Sequence, residues 1–490
     1  MNLFIKKPIS QLLASAEGGE HQLKRSLGSM NLVSLGIGAI IGAGLFSLTG
    51  IAAAENAGPA VVLSFVIAAI GCTFAGMCYS ELASMIPVAG SAYTYAYATM
   101  GEFMAWIIGW DLVLEYAVAA SVVAVSWSRY VGSFLHDFGI TIPAQYTACP
   151  FDVITLPDGS QGHGIVNVPA MLIIVAISIL LMLGIKESAR VNDVIVLIKL
   201  AVVVTFIAIG ANYIKHDNYT PFIPPNTGTF GEFGLSGIMR AAGIIFFAYI
   251  GFDTVSTAAQ EAHHPQRDIP RGIIGSLVIC TVLYILFAFV LTGMLNYKLM
   301  KGDAAPVATA IDLTPYPWLH VLVKLGIIGG FTSVILVMLL GQSRIFYAMS
   351  RDGLLPKMFS SIHPKWRTPW LSNLLFMVFT GFFAGFFPIS KLGNMTSIGT
   401  LLAFIIVCAG VMILRYTEPN IPRAYKCPYF PQFPILGILV CLAMMTSLDA
   451  ETWWRLVIWM AAGLIIYFTY SRFNSTLGKS KAYKRKYASG

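Results

Sequence analysis

The chain has 490 residues, 57% hydrophobic and 11% charged, with a net charge of +8 and a mean hydropathy of +0.74. Soluble proteins carry roughly 45–50% apolar and about 25% charged residues, so this chain lacks the polar surface to wet the several soluble domains its length would allow. An all-α membrane protein is expected, because membrane barrels alternate polar and apolar residues and these segments do not.

Twelve transmembrane helices are expected, near 31–54, 60–86, 98–127, 165–185, 191–213, 237–260, 272–295, 319–348, 370–387, 394–415, 433–448 and 453–471. Each supplies about the 20 apolar residues a crossing needs. Glycine and proline punctuate the connections, as at Gly58-Pro59, Pro221 to Pro225 and Pro315 to Pro317. The longest connections are expected near 128–164, 214–236 and 349–369. Residues 1–30 are mostly polar and have no apolar core before a cleavage site, so they read as a cytoplasmic tail, not a signal peptide. Residues 472–490 form a second, basic cytoplasmic tail.

The basic residues fall unevenly on alternating sides. Twenty-two Lys and Arg lie in the tails and even-numbered connections, among them Lys6, Lys7, Lys24, Arg25, Lys186, Arg190, Arg267, Arg271, Arg351, Arg423 and the cluster Lys479, Lys481, Lys484, Arg485 and Lys486. Eight lie opposite: Arg129, Lys215, Arg240, Lys298, Lys301, Lys324, Lys391 and Arg455. That bias puts both termini in the cytoplasm and explains the positive charge without nucleic acid. The seven cysteines show no CxxC or metal spacing and read mostly as small core residues, with Cys149 in an outside loop. Tryptophans such as Trp106, Trp318 and Trp454 read as an interfacial belt. His263-His264 reads as a solvated loop and Gly162-His163-Gly164 as loop punctuation. No catalytic triad, phosphate loop or metal cluster stands out, so an enzyme is not expected.

Two spans are interrupted. The first reads Gly36-Ile37-Gly38-Ala39-Ile40-Ile41-Gly42-Ala43-Gly44, and its four glycines destabilise a helix by about 1 kcal/mol each relative to alanine. Helix packing through Gly38 and Gly42 is one reading. The other is an unwound stretch lining a cavity, whose bare N–H groups suit a carboxylate and whose carbonyls suit an ammonium. The sixth span, five spans later, is interrupted at Ile250-Gly251-Phe252-Asp253. Paired discontinuities in two halves point to a transporter's central site.

Lys199 lies mid-span, nine residues beyond Arg190. That is about 13 Å of helix rise, too far for easy snorkelling. A lysine at helix centre costs roughly 2.5–3.5 kcal/mol, so its presence suggests use. Glu115, with Asp111 one turn before it, is the natural acidic counterpart, and a structural ion pair is the alternative.

GIGAIIGAG, FFAYIGFD, EAHHPQRDIPR (Glu261 to Arg271) and RIFYAMSRDGLLP (Arg344 to Pro356) together resemble the amino acid–polyamine–organocation superfamily, in particular its bacterial cationic amino acid transporter-like permeases. The resemblance implies a five-plus-five inverted-repeat core, residues 31–213 and 237–415, with two additional helices over 433–471. It implies a substrate carboxylate at N–H groups of Gly42, Ala43 and Gly44, and an ammonium at carbonyls of Ile40, Phe247, Ala248 and Ile250. Phe247 is implied as an aromatic gate and Met338 as a limit on pocket volume. Lys199 is implied to carry the coupling proton in place of sodium, leaving no cofactor beyond that proton. Where relatives often have a hydroxyl residue this chain has Ala43, so one carboxylate hydrogen bond is not expected.

The expected activity is plasma-membrane import of amino acids by proton symport with alternating access. Small neutral substrates such as alanine rank ahead of cationic ones, because no acidic residue is placed in the pocket. An exchanger is the main alternative; sodium coupling through Thr332 and Ser333 is a weaker one, and a channel or sensor weaker still. Partners beyond the amino acid and the bilayer are not indicated, and a small accessory membrane subunit is left open.

Overall fold

A computed structural model describes residues 3–12, 27–88, 91–155, 159–184, 189–303 and 305–479, without the side chains of 189, 190, 192 and 260. Lys24, Arg25, Lys186 and the tail residues Lys481, Lys484, Arg485 and Lys486 lie outside the described residues, and Arg190 is described by its backbone alone.

The helices in chain order are α1 (Ser29–Ile40), α2 (44–57), α3 (Val61–Met85), α4 (Ser91–Thr99), α5 (Glu102–Asp137), α6 (Val168–Met182), α7 (Ala189–Gly210), α8 (Gly234–Ile245), α9 (Thr254–Thr257), α10 (Pro265–Met294), α11 (Pro306–Ile311), α12 (Pro317–Arg351), α13 (Trp370–Phe386), α14 (Ile389–Thr417), α15 (Gln432–Ser447) and α16 (Ala450–Ile466). Among the described residues eight helical stretches are long and apolar enough to cross a membrane, and α1, α6, α13 and α15 are shorter apolar helices. Outward-facing side chains such as Leu172, Leu197, Val378 and Ile458 are large, apolar and exposed, as a lipid environment requires.

Local sequence sets several boundaries. Proline occupies the first position of α10, α11 and α12, where its missing N–H has no helical role. Asn167 caps α6, accepting a hydrogen bond from Ala170 N at 3.2 Å. Among the described residues four stretches wind as π-helix, Gly44–Leu48 and Ala53–Ala57 in α2, Leu114–Val118 in α5 and Tyr467–Ser471 after α16, a distortion found often at functional sites.

The structure corrects several expectations. The third span extends to Asp137, ten residues beyond its expected end, and begins at Glu102 because Ser91–Thr99 forms the separate helix α4. Arg267 and Asp268 are not loop residues: α10 starts at Pro265, and Asp268 reaches back to the His264 N–H at 3.1 Å, closing its first turn. Gly162 and His163 belong to a strand, β2 (Gln161–His163), paired antiparallel with β1 (Val153–Thr155). Trp106 is no interfacial residue. It is buried, donates to the Gly463 carbonyl at 3.0 Å, and stacks on Trp110, which in turn stacks on Trp459. Trp318 and Trp454 are exposed, as a belt requires.

The described N- and C-terminal segments pack at one end of the bundle. Lys7 pairs with Asp352 at 2.8 Å, and Thr476 N donates to the Asp352 carbonyl at 2.9 Å. At the other end, Lys324 is fully buried and pairs with Asp137 and Asp312 at 2.8 and 2.9 Å.

Candidate substrate site

The helix expected over 31–54 breaks after Ile40, where Ile41 turns extended (φ −72°, ψ 105°) before α2 begins. The sixth span breaks after a 3-10 turn over Phe246–Tyr249, with Ile250 extended (φ −61°, ψ 137°) and Gly251 at φ +117°. That positive φ favours glycine. A Cβ on Gly251 would also stand 2.8 Å from the Ala39 carbonyl oxygen. In reciprocal fashion, a Cβ on Gly44 would overlap the Ala248 Cα. The glycine of each break thus rests on the alanine backbone of the other, and substitution at either forces the two helices apart.

Between the breaks lies a small cavity lined by Ala39, Ile40, Gly42, Ala43, Gly44, Ala119, Val123, Phe247, Ile250, Val334 and Met338. Its volume, about 10 Å³ for the centre of a water-sized sphere, is room for about one water. An amino acid fits only if walls such as Phe247 and Met338 move. Of the eight residues singled out for substrate, seven line it. Ala248 does not, because its backbone is turned onto Gly44.

The poles of the breaks are partly bare. Gly42 N–H has no hydrogen-bond partner among the described residues, and Ala43 and Gly44 stand at the cap and first position of α2, where N–H groups lack an intrahelical acceptor. Carboxylates bind such helix starts. On the carbonyl side, Ile250 N donates to Phe247 O at 3.2 Å. Tyr284 of α10 puts its hydroxyl 2.9 Å from Ile40 O and 3.0 Å from Ala248 O. One hydroxyl proton cannot fully satisfy two carbonyls, so this pair retains acceptor capacity that an ammonium would use.

Lys199 is buried on α7, and its ammonium donates to the Gly38 carbonyl at 2.6 Å, one turn before the break. Gly330 of α12 makes room for its stem: a Cβ there would stand 3.0 Å from Lys199 Cε. Thr332 and Ser333 spend their hydroxyls within α12, on Ile328 O and Gly330 O.

Glu115 lies on the π stretch of α5, one turn from Ala119 of the cavity wall, and Asp253 lies just beyond the second break. Both are buried. Both oxygens of Glu115 and Oδ1 of Asp253 have no hydrogen-bond partner among the described residues. Tyr116 and Ser91 donate to Asp253 Oδ2 at 2.6 and 3.2 Å.

On the side toward Lys324 the cavity is shut by packed rings: Phe46 meets Phe287 and Phe331 at 5.7 and 5.9 Å, and Tyr130 meets Phe331 at 5.5 Å. Ala39, Ala119, Val123 and Val334 of the wall, and Tyr284, were not found in the sequence. The first four are ordinary apolar residues and carry no signal. Tyr284 carries a weak one, a phenol inside Leu283-Tyr284-Ile285 that must find a partner when buried.

A bundle of apolar helices, two of them broken around a shared cavity with exposed backbone poles, defines a multi-pass membrane transporter, not an enzyme. The amino acid permease family model matches residues 27–476, and the chain belongs to that family, within the amino acid–polyamine–organocation superfamily. It is similar along its length to the branched-chain amino acid permease BcaP of Bacillus subtilis (strain 168), with 45% identity over 98% of this chain and 99% of the relative. It is 43% identical to the methylthioribose transporter of the same organism, over 98% and 100% of the two chains. The vacuolar cationic amino acid transporter 4 of Arabidopsis thaliana is 37% identical over 86% of this chain and 68% of the relative.

Proposed function

We propose that the protein imports neutral, apolar amino acids by proton symport, with alternating access about the two helix breaks. The observation that carries this reading is one cavity bordered by bare N–H groups at Gly42 to Gly44 and by the under-used carbonyl of Ile40. Such a pair of poles fits a zwitterion and offers little to a sugar. The cavity walls, Ala119, Val123, Phe247, Val334 and Met338, are all apolar. They favour side chains from alanine up to branched aliphatics and rank cationic ones behind.

In this reading the chain crosses the plasma membrane twelve times, the first crossing built from α1 and α2. Residues 31–213 and 237–415 form the two inverted repeats, α15 and α16 are additional, and both termini are cytoplasmic. The uneven basic residues and the shared end of the two described terminal segments support that orientation. Coupling runs through Lys199, whose ammonium ties α7 to the first half-helix, with the buried carboxyl of Glu115 as its acidic counterpart. Sodium is disfavoured, since the Lys199 stem already packs against Gly330 beside the Thr332 and Ser333 hydroxyls, and those are bonded within their own helix.

The test is purified protein in liposomes with an inward proton gradient, a sodium gradient, or neither. Alanine, valine, leucine, arginine and methylthioribose are the candidate substrates. Accumulation of the neutral amino acids driven by the proton gradient is expected. Accumulation that needs sodium, or uptake only into vesicles preloaded with amino acid, overturns symport; preference for methylthioribose or arginine overturns the substrate reading.

A further inference from the structure

A second cavity lies at the bundle end that holds the described N-terminal segment. It has a volume of about 650 Å³ and is lined by Gln266, Arg267, Pro270, Arg271, Ile274 and Gly275 of α10 and by Ala424 and Tyr425 of the connection after α14. Arg267 and Arg271 are one turn apart and both exposed. Neither makes an ion pair with a described residue, although arginines elsewhere in the chain do. Guanidinium pairs at i and i+4 stand about 6 Å apart along the axis, close enough to share one phosphate, and Arg recognises phosphate oxygens in bidentate fashion.

The surrounding charges leave the cavity positive. Asp268 turns away from it toward Ser29 Oγ and His264 N. Glu81 is held by Arg415 and Arg423. Burial pushes the Tyr425 phenol up to about 12, so it remains an O–H donor at neutral pH. Pro270 sits inside α10, and with no N–H it leaves the Gln266 carbonyl without its helical donor, an acceptor for a hydroxyl on an incoming head group.

The floor is apolar, and it leads outward. Pro270, Ile274 and Gly275 continue along the same face of α10 into Val278, Val282 and Leu286, large apolar side chains exposed on the lipid-facing surface. A soluble anion gains nothing from that strip, whereas acyl chains do. We propose that this cavity is a binding site for an anionic phospholipid, its phosphate between Arg267 and Arg271 and its acyl chains along Val278 and Val282.

The site is placed to affect the first break. Beside it on the same turns, a Cβ on Gly272 would stand 2.8 Å from Leu32 Cβ, and one on Gly275, which lines the cavity, 3.0 Å from Val33 Cγ2. A lipid seated on α10 therefore braces the segment against which α1 packs.

The test uses the full-length protein in neutral detergent, followed by native mass spectrometry and thermal unfolding while phosphatidylglycerol, phosphatidylcholine or inorganic phosphate is titrated. Phosphatidylglycerol is expected to be retained and to raise the Tm, with phosphatidylcholine and inorganic phosphate doing neither. Each of Arg267→Gln and Arg271→Gln should weaken retention about fivefold, with Arg→Lys at each position intermediate. Equal retention of the two lipids overturns the site, as does displacement of the lipid by inorganic phosphate at matched concentration. So does full retention in both single variants, which are read separately in case the double variant does not fold. Because binding is read without transport, these outcomes are independent of the symport reading.

Discussion

Lys199 places its ammonium on the Gly38 carbonyl at 2.6 Å, joining the middle of α7 to the last turn of α1 before the break. The bond ties α7, which does not line the cavity, to α1, whose Ala39 and Ile40 do. A neutral lysine would weaken it by removing the charge that makes such a hydrogen bond strong. Lys199→Met should therefore abolish accumulation driven by a proton gradient, a fall of tenfold or more, while exchange between preloaded vesicles persists. Undiminished gradient-driven uptake in the variant would remove Lys199 from coupling.

Gly44 and Gly42 should behave differently although they are two residues apart. A Cβ on Gly44 runs into the Ala248 backbone, which cannot rotate away, whereas one on Gly42 meets only Val334 Cγ2 at an ordinary 3.5 Å. Gly44→Ala is expected to destabilise by about 1–3 kcal/mol. Gly42→Ala should leave the Tm within a few degrees of the parent. Thermal unfolding in detergent checks both, and equal Tm values would contradict the close crossing of the breaks.

Tyr284→Phe removes the donor from Ile40 O and Ala248 O. Leaving buried carbonyls without it costs about 1–3 kcal/mol, so the substrate-free protein should lose stability. An amino acid that brings its own ammonium replaces the lost donor. The thermal shift produced by saturating alanine should hence be larger in the variant than in the parent. A smaller shift would mean that Tyr284 binds substrate and does not compete with it.

Met338 and Val334 stand one turn apart on the α12 wall of the cavity. Met338→Ala should let larger aliphatic side chains enter, raising the leucine-to-alanine ratio of kcat/KM by about tenfold. Competition of each amino acid against labelled alanine in liposomes measures it. No change would place the side chain of the substrate elsewhere.

Lys324 is wholly buried while its partners Asp137 and Asp312 are partly exposed. Removing both carboxylates strands a buried charge, a loss of about 3–5 kcal/mol. Lys324→Met removes the charge instead and leaves the acids in contact with solvent. The Asp137→Ala/Asp312→Ala variant should thus unfold at a lower temperature than Lys324→Met, and the reverse order would contradict burial of that ammonium.

Much of the site could be read from the chain because the backbone itself announces it. The glycine run ending at Gly42 and Gly44 weakens the helix where it breaks after Ile40, Gly251 marks a left-handed turn, and Lys199 is too far from either interface to be decorative. The walls could not be read in this way. Ala119, Val123 and Val334 are indistinguishable by type from dozens of lipid-facing residues, and only the crossing of α5, α12 and the two breaks turns them inward. Asp253 is fully buried, with the hydroxyls of Tyr116 and Ser91, 137 and 162 positions earlier, brought onto its carboxylate by the fold.

Composition and charge placement alone determined that this is a helical membrane protein with two interrupted spans, since the bilayer imposes length, hydropathy and backbone satisfaction on every segment independently. Tertiary structure decided which groups meet: Tyr284 over two carbonyls, Tyr116 with Asp253, Lys324 buried between two aspartates, and Arg267 with Arg271 over a lipid-facing strip. Those contacts depend on distances between residues remote in the chain, and a one-dimensional pattern of apolar and polar residues carries no record of them.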